Sequence, residues 1–382
     1  MLTPDYDCSI VNLISAVAGA HAPAADLYPP LSVLDDARCE QRPVALLVID
    51  GLGYQFLQRF PASALARHCV QRLTSVFPTT TAAAVTALAL GVPAQQHGIS
   101  GWFTYLRELG AVVMPLPFMP RGGGSVYSDL GISADSMLDA RPLLPRLNRR
   151  VQVSGPGYIA DSDFSRALYG NAPKAPHNSL AQLFDQLTKG LKHRGHPLVW
   201  GYWTELDGLA HQYGSGSAEV SAHFHQIDRL FEQWLEQLAG SDALVLVTAD
   251  HGLIDVVDEQ RLLLEHHPEL EAMLRLPLCG EPRAAFCYLR PGCQRDFEQY
   301  FAEHFADLFE VVASEQLLEQ RLFGRGSPSS RLPDRIGDMT VLAKQQAIIN
   351  DRLLQERPFL QRGVHGGLSA EELYVPLVMA EP

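Results

Sequence analysis

The sequence is short of positive charge. Thirty Lys and Arg stand against 43 Asp and Glu, a net charge of -13 over 382 residues. A surface of that sign excludes general affinity for nucleic acid backbones or anionic membranes, because both require basic patches. An anionic substrate therefore needs a local positive centre. Cysteine is sparse and unpatterned: Cys8, Cys39, Cys69, Cys279, Cys287 and Cys293 show no paired two-residue spacing. That excludes a zinc knuckle and a disulfide framework. No segment reaches the ~20 consecutive apolar residues of a membrane span. The N-terminal MLTPDYDCSIVNLISAVAGAHAP has an apolar stretch, but Asp5 and Asp7 precede it, no Lys or Arg does, and Asn12 interrupts it. The expectation is no signal peptide and a cytoplasmic protein. Internal repeats and a disorder-prone composition are also lacking. The glycine run RGGGS at 121–125 has no GK[ST] after it, so it reads as a loop rather than a phosphate cradle.

What the chain does have is apolar runs separated by helical patterns, the signature of a doubly wound α/β sheet. The strand candidates are 44–49, 198–203 (LVWGYW), 243–248 (ALVLVT) and 337–343 (GDMTVLA). Val220, Phe224, Ile227, Phe231 and Leu238 recur at helical spacing and predict a sheet-covering helix near 218–239. Two stretches, 103–195 and 280–335, are rich in turn residues and read as irregular insertions in one catalytic domain spanning 1–382. The second contains a strand-like AAFCYL, a helix-like QRDFEQYFAEHFADLF and a polar loop, a small α/β insertion that returns to the main sheet at 337.

Five places put Asp, His or Thr where such a sheet keeps its ligands, at the carboxyl ends of strands. In LLVIDGLG a continuous apolar run ends in Asp50 and glycines. In FPTTTAAAVTALALGV, Pro78 and three threonines precede an Ala/Leu-rich helix; a threonine there can cap, and a helix N-terminus offers N–H groups to phosphate. A hydroxyl at that point can be a nucleophile if something lowers its pKa. In YWTELDGLAHQYG, Asp207 and His211 lie one helical turn apart, on a common face, as two ligands of one metal require. LVLVTADHGL ends a strand in Asp250 and His251, whose burial without partners would be costly. QRGVHGGL holds His365 between glycines. Acid, imidazole and hydroxyl groups of this kind can be shared between two ions at three to four ligands each, a binuclear site.

The stretches VIDGLG, FPTTT followed by ALGVPAQQHGI, TELDGLAHQYG, TADHGL and GVHGG, in this order across residues 44–368, resemble the alkaline phosphatase superfamily, nearest its nucleotide pyrophosphatase/phosphodiesterase branch. The resemblance implies a three-layer α/β/α fold with a mostly parallel central sheet plus small α/β insertions. It implies that Thr81 is the nucleophile, that Asp50, Thr81, Asp250 and His251 hold one Zn2+, and that Asp207, His211 and His365 hold a second. The implied reaction is in-line attack by the Thr81 oxygen on phosphorus, giving a phosphothreonine that water then opens.

Two positions depart from the branch. The residue after the nucleophile, commonly an aromatic that stacks on a base, is Ala82. An asparagine expected after HGI is replaced in HGISGWF, with Trp102 at the corresponding offset. Ala82, Trp102 and Tyr202, five residues before Asp207, are the candidate substrate contacts. The expected partner is a small-molecule phosphate ester or diester, with no nucleic acid polymer and no membrane. The alternatives are a phosphomonoesterase or phosphonate hydrolase of the same superfamily, or a non-catalytic metal-binding homologue. A sulfatase is disfavoured because Thr81 cannot mature to an aldehyde.

Overall fold

The computed structural model describes residues 1–34, 39–358 and 360–382. Its central sheet has six strands: β1 (Val44–Ile49), β2 (Cys69–Thr74), β3 (Val151–Ser154), β4 (Leu198–Trp203), β5 (Leu244–Thr248) and β6 (Tyr374–Ala380), in the order β2-β6-β5-β1-β4-β3. β1 is flanked by parallel neighbours on both sides, with Val44 beside Leu198 and Leu244. All six of its residues are buried. This accounts for the unbroken apolar run, since a strand covered on both faces has no solvent side to alternate toward. β6 is antiparallel to β5 and β2.

Helices cover both faces. Ala218–Gln237 starts at Ser217, whose hydroxyl accepts from Val220 N–H, and buries Val220, Phe224, Ile227, Phe231 and Trp234. Leu180–Leu191, capped by Ser179, packs on β4. The apolar N-terminal stretch is the helix Ile10–Ala18, opened by a Ser9/Asn12 capping box and buried along its whole length. Its Ile10, Val11, Leu13, Ile14 and Val17 each contribute roughly 1.5–3 kcal/mol of burial. It lies against Thr81–Leu90, a helix whose alanines permit close approach.

Two expectations are corrected. The strand at 337–343 is real, as Met339–Ala343, but belongs to a separate four-stranded antiparallel sheet ordered Cys279–Glu281, Ala284–Cys287, Met339–Ala343, Phe309–Ala313. The chain returns to the main sheet at β6 instead. Pro376 hid β6, because proline cannot donate to a ladder. It is accommodated because only Val378–Ala380 pair with β5, so Pro376 is bonded on the β2 side alone. The stretch 103–195, expected to be irregular, supplies edge strand β3 and the helix Leu180–Leu191 to the main layers. Among the described residues no helix is long and apolar enough to cross a membrane.

Candidate active site

The carboxyl ends of β1, β4 and β5 converge. Asp50 follows β1 and is 3% exposed, and Asp250 lies just beyond β5 with no exposure. Asp207 stands in the first turn of the helix Glu205–Tyr213, which β4 feeds. Gly51 makes this approach possible. Its φ is +75°, and a Cβ there would sit 2.6 Å from Leu253 Cδ1 and 3.1 Å from Asp207 Cβ. A Cβ on Gly252 would meet the Glu371 carbonyl oxygen at 2.0 Å. The glycines after both aspartates thus let the strand-end turns lie against their neighbours.

Thr81 opens its helix, and its hydroxyl oxygen is 3.1 Å from His251 Nε2. Thr80, at the N-cap, makes no capping bond; its hydroxyl donates instead to Glu281 Oε1 at 2.6 Å. Thr79 ties the turn to the His365 loop, donating to Gly367 O at 2.8 Å and accepting from Gly366 N–H at 3.1 Å. The cap reading of this threonine run therefore gives way to tertiary bonds.

The three histidines share one arrangement. Nδ1 of His211 is 2.7 Å from Gly363 O, Nδ1 of His251 is 3.0 Å from Gly252 O, and Nδ1 of His365 is 3.1 Å from Thr79 O. A carbonyl can only accept, so each Nδ1 carries the hydrogen and each Nε2 is left to point inward, the orientation that metal-ligating histidines adopt. The His251 and His365 rings stack at 3.8 Å between centroids.

Ligand atoms of Asp50, Asp250 and His251 lie within 4.8 Å of one another, as do those of Asp207, His251 and His365. His211 Nε2 is 3.1 Å from Asp207 Oδ2. The seven residues anticipated from sequence are thus brought together, with His251 within reach of both groups rather than one. Of the candidate substrate contacts, Trp102 is 38% exposed and lines the cavity with Tyr202. Ala82 is fully buried and is not among the cavity-lining residues.

The electrostatics are those of a cation site. Burial, then the negative Asp250 and Asp207, push the Asp50 carboxyl well above the usual range, and burial also raises Asp250. Burial opposes the ionised forms of Asp207 and His211, but their mutual attraction wins: Asp207 is lowered and His211 rises to about 9. Burial, then the neighbouring His251, hold His365 far below the imidazole range. Asp50 Oδ1, Asp207 Oδ1 and Asp250 Oδ2 are buried without a hydrogen-bond partner. Three orphaned carboxylate oxygens among inward-facing imidazole nitrogens fit divalent cations of the zinc type, which take N and O ligands.

Several residues at the site carry no sequence signal. Tyr202, read as a substrate contact, donates its hydroxyl to Asp50 Oδ2, fixing which oxygen remains for a ligand. Arg283 and Glu372, 1% and 0% exposed, pair at 2.9 Å, and Glu372 Oε1 also accepts from Gly367 N–H. Glu281 lines the cavity. SAEE marks Glu372 only as the partner of Ser369 in a capping box; its pairing with Arg283, 89 residues away, and the bonds of Glu281 to Thr80 and Trp102 leave no local mark. The cavity itself measures about 1870 Å³, ample for a drug-sized ligand. At its wall stands the exposed Tyr158, hydroxyl 3.0 Å from Thr204 Oγ1.

The sequence model for the family described as type I phosphodiesterase / nucleotide pyrophosphatase matches residues 127–368. The chain belongs to that family, a hydrolase branch of the alkaline phosphatase superfamily. The matched span includes Asp207, His211, Asp250, His251 and His365 and begins after Asp50 and Thr81. Among solved structures the chain is similar to murine ectonucleotide pyrophosphatase/phosphodiesterase 5, at TM-score 0.68 and 17% identity over 89% of this chain and 88% of that one. An inactive variant of the murine protein in complex with AMP gives TM-score 0.66 and 17% identity, covering 88% and 87%. Phosphonoacetate hydrolase from Sinorhizobium meliloti 1021 in complex with phosphonoformate gives 0.65 and 18%, covering 89% and 90%. These likenesses establish the alkaline phosphatase-like fold. No curated protein matches the chain.

Proposed function

We propose that this protein is a metal-dependent hydrolase that cleaves phosphodiester or pyrophosphate bonds of small molecules through a covalent phosphothreonine at Thr81. Two zinc ions are assigned, one to Asp50, Thr81, Asp250 and His251, the other to Asp207, His211 and His365. The observation that carries the reading is the convergence of three partnerless carboxylate oxygens and inward-facing imidazole nitrogens beside the Thr81 hydroxyl. When bound, such cations make a hydroxyl acidic enough to attack near neutral pH and neutralise charge on the phosphoryl group.

The protein's own groups do the rest. Thr81, half-buried at the helix start, faces the cavity, and the N–H groups of that first turn offer donors to phosphoryl oxygens. His251 Nε2 lies 3.1 Å from the Thr81 oxygen, so the nitrogen and the hydroxyl converge on the same point, where they would share one cation. Tyr202 holds Asp50 in place. Ala82, buried beneath the turn, leaves recognition of a leaving group to cavity residues such as Trp102.

The test is zinc content of the purified protein together with turnover of bis-p-nitrophenyl phosphate, with and without a chelator. The reading expects about two zinc ions per chain, turnover abolished by chelation and restored by zinc, and Thr81→Ala inactive with its metal retained. A fully active Thr81→Ala would overturn the nucleophile assignment. Phosphonoacetate in the same assay separates the phosphonate alternative.

A further inference from the structure

Glu281 is a buried acid that the reaction above does not use. It ends the strand Cys279–Glu281, which is held to the loop after HGI by Gly280 N–H donating to Phe103 O at 2.6 Å. Its residue is 6% exposed. Oε1 accepts from the Thr80 hydroxyl at 2.6 Å and from Trp102 N–H at 2.6 Å, so the carboxylate bridges the residue before the nucleophile and the turn that faces it. On its other side it abuts the His365 loop, where a Cβ on Gly366 would fall 2.4 Å from Glu281 Cβ. Glu281 lines the same cavity as Thr81, Asp207, His211 and His365.

No Lys or Arg lies within ion-pair distance of Glu281 among the described residues. The nearby Arg121, which also lines the cavity, is committed to Asp351, Glu356 and the Leu278 carbonyl. Burial pushes the Glu281 carboxyl up to about 7, while the Thr80 and Trp102 bonds restrain the rise. A buried acid with no Lys or Arg partner, whose attractive neighbour is the site's own His211, stands beside a reactive centre, which points to function rather than packing. Two neutral donors to one oxygen would be served equally by a glutamine. The charge itself needs a reason.

We propose that Glu281 is a specificity-determining residue whose carboxylate beside Thr81 disfavours dianionic phosphoryl groups, so that the site selects monoanionic diesters over dianionic monoesters. This rests on the reading of the site as a phosphoryl-transfer centre. A dianion brings one more negative charge toward the Glu281 carboxylate than a diester does. The segment around Thr81 holds no Lys or Arg between Arg72 and Arg107 to meet the extra charge of a monoester, whereas the Glu281 carboxylate accepts from the neighbouring Thr80.

The test uses Glu281→Gln, which preserves size and the two accepted hydrogen bonds and deletes only the charge. Calorimetric affinities of the zinc-loaded protein are measured at pH 8.5 for inorganic phosphate, a dianion, and for dimethyl phosphate, a monoanion. Relative rates are then measured for p-nitrophenyl phosphate and the nearly isosteric p-nitrophenyl methylphosphonate. Glu281→Gln is expected to shift both dianion-to-monoanion ratios toward the dianion by about ten- to a hundredfold, the size of one charge acting across roughly 12 to 6 Å at an effective dielectric of about 20. Glu281→Ala, in which cavity water can take up the two donors, is the second variant and should shift the ratios in the same direction. Unchanged ratios, or equal weakening of both ligands as a packing role would give, overturn the inference. Absence of turnover with every ester defeats the functional reading instead, and leaves the binding ratio to decide on Glu281.

Discussion

Replacing Arg283 by Met should both destabilise the protein and weaken its hold on metal. Arg283 Nε and Nη2 donate to the two oxygens of Glu372 at 3.1 and 2.9 Å, and Nη1 donates to Ala347 O at 2.7 Å. Neither residue of the pair is more than 1% exposed. Methionine fills much of the volume but leaves a buried carboxylate facing only Gly367 and Ser369 N–H, at 2.7 and 3.3 Å. Breaking a buried pair from one side costs about 3–5 kcal/mol, a large share of the stability of a typical protein. In urea, with chelator present so that metal binding does not contribute, the midpoint should fall by about 1 M. The double variant Arg283→Met with Glu372→Leu should recover only part of the loss. The leucine removes the orphaned charge but also strips Gly367 N–H of its acceptor, a cost of about 1–3 kcal/mol. Because Gly367 lies two residues from His365, zinc affinity should fall with the single variant as well. An unfolding midpoint and zinc affinity both equal to wild type would refute the role given to this pair.

Other outcomes follow from the same geometry. Tyr202→Phe removes the donor to Asp50 Oδ2 and should weaken zinc binding by about 10- to 100-fold, the usual cost of losing an outer-shell partner, read by competition with a chromophoric chelator. In metal-free protein, His211 is raised to about 9 by Asp207 despite its burial. Its stabilising contribution is complete below its unfolded value of 6.5 and lost as pH rises through 9. Melting temperatures of wild type should therefore converge on those of His211→Ala between pH 6.5 and 9.5, and a constant difference would refute this. Thr81→Ser should retain measurable turnover, since it keeps the hydroxyl, whereas Thr81→Ala should lose it; equal activities in the two would contradict attack by this oxygen.

Much of the architecture is written in local pattern. β1, β4 and β5 are buried along their length, so their apolar runs stand out; β1 and β5 run into Asp50 and Asp250 at tight turns, and β4 feeds the helix whose first turn carries Asp207. Asp207 and His211 announce themselves by sharing a helical turn. β6 was invisible because Pro376 breaks the pattern, and Met339–Ala343 looked like its substitute because a buried strand in a small sheet and one in a large sheet have the same composition. Glu281, Tyr202 in its bond to Asp50, and the Arg283–Glu372 pair act through partners 89 to 201 residues away. Such contacts have no period or spacing to reveal them. Trp102 was located by its offset from HGI, but its backbone donation to Glu281 depends on the loop's path.

Metal occupancy is the property on which the proposed chemistry most directly depends. Anomalous diffraction at the zinc edge from crystals of the purified protein should show two peaks beside Thr81, one among Asp50, Asp250 and His251 and one among Asp207, His211 and His365. A map with no peak there, or with zinc bound only elsewhere on the chain, would contradict it.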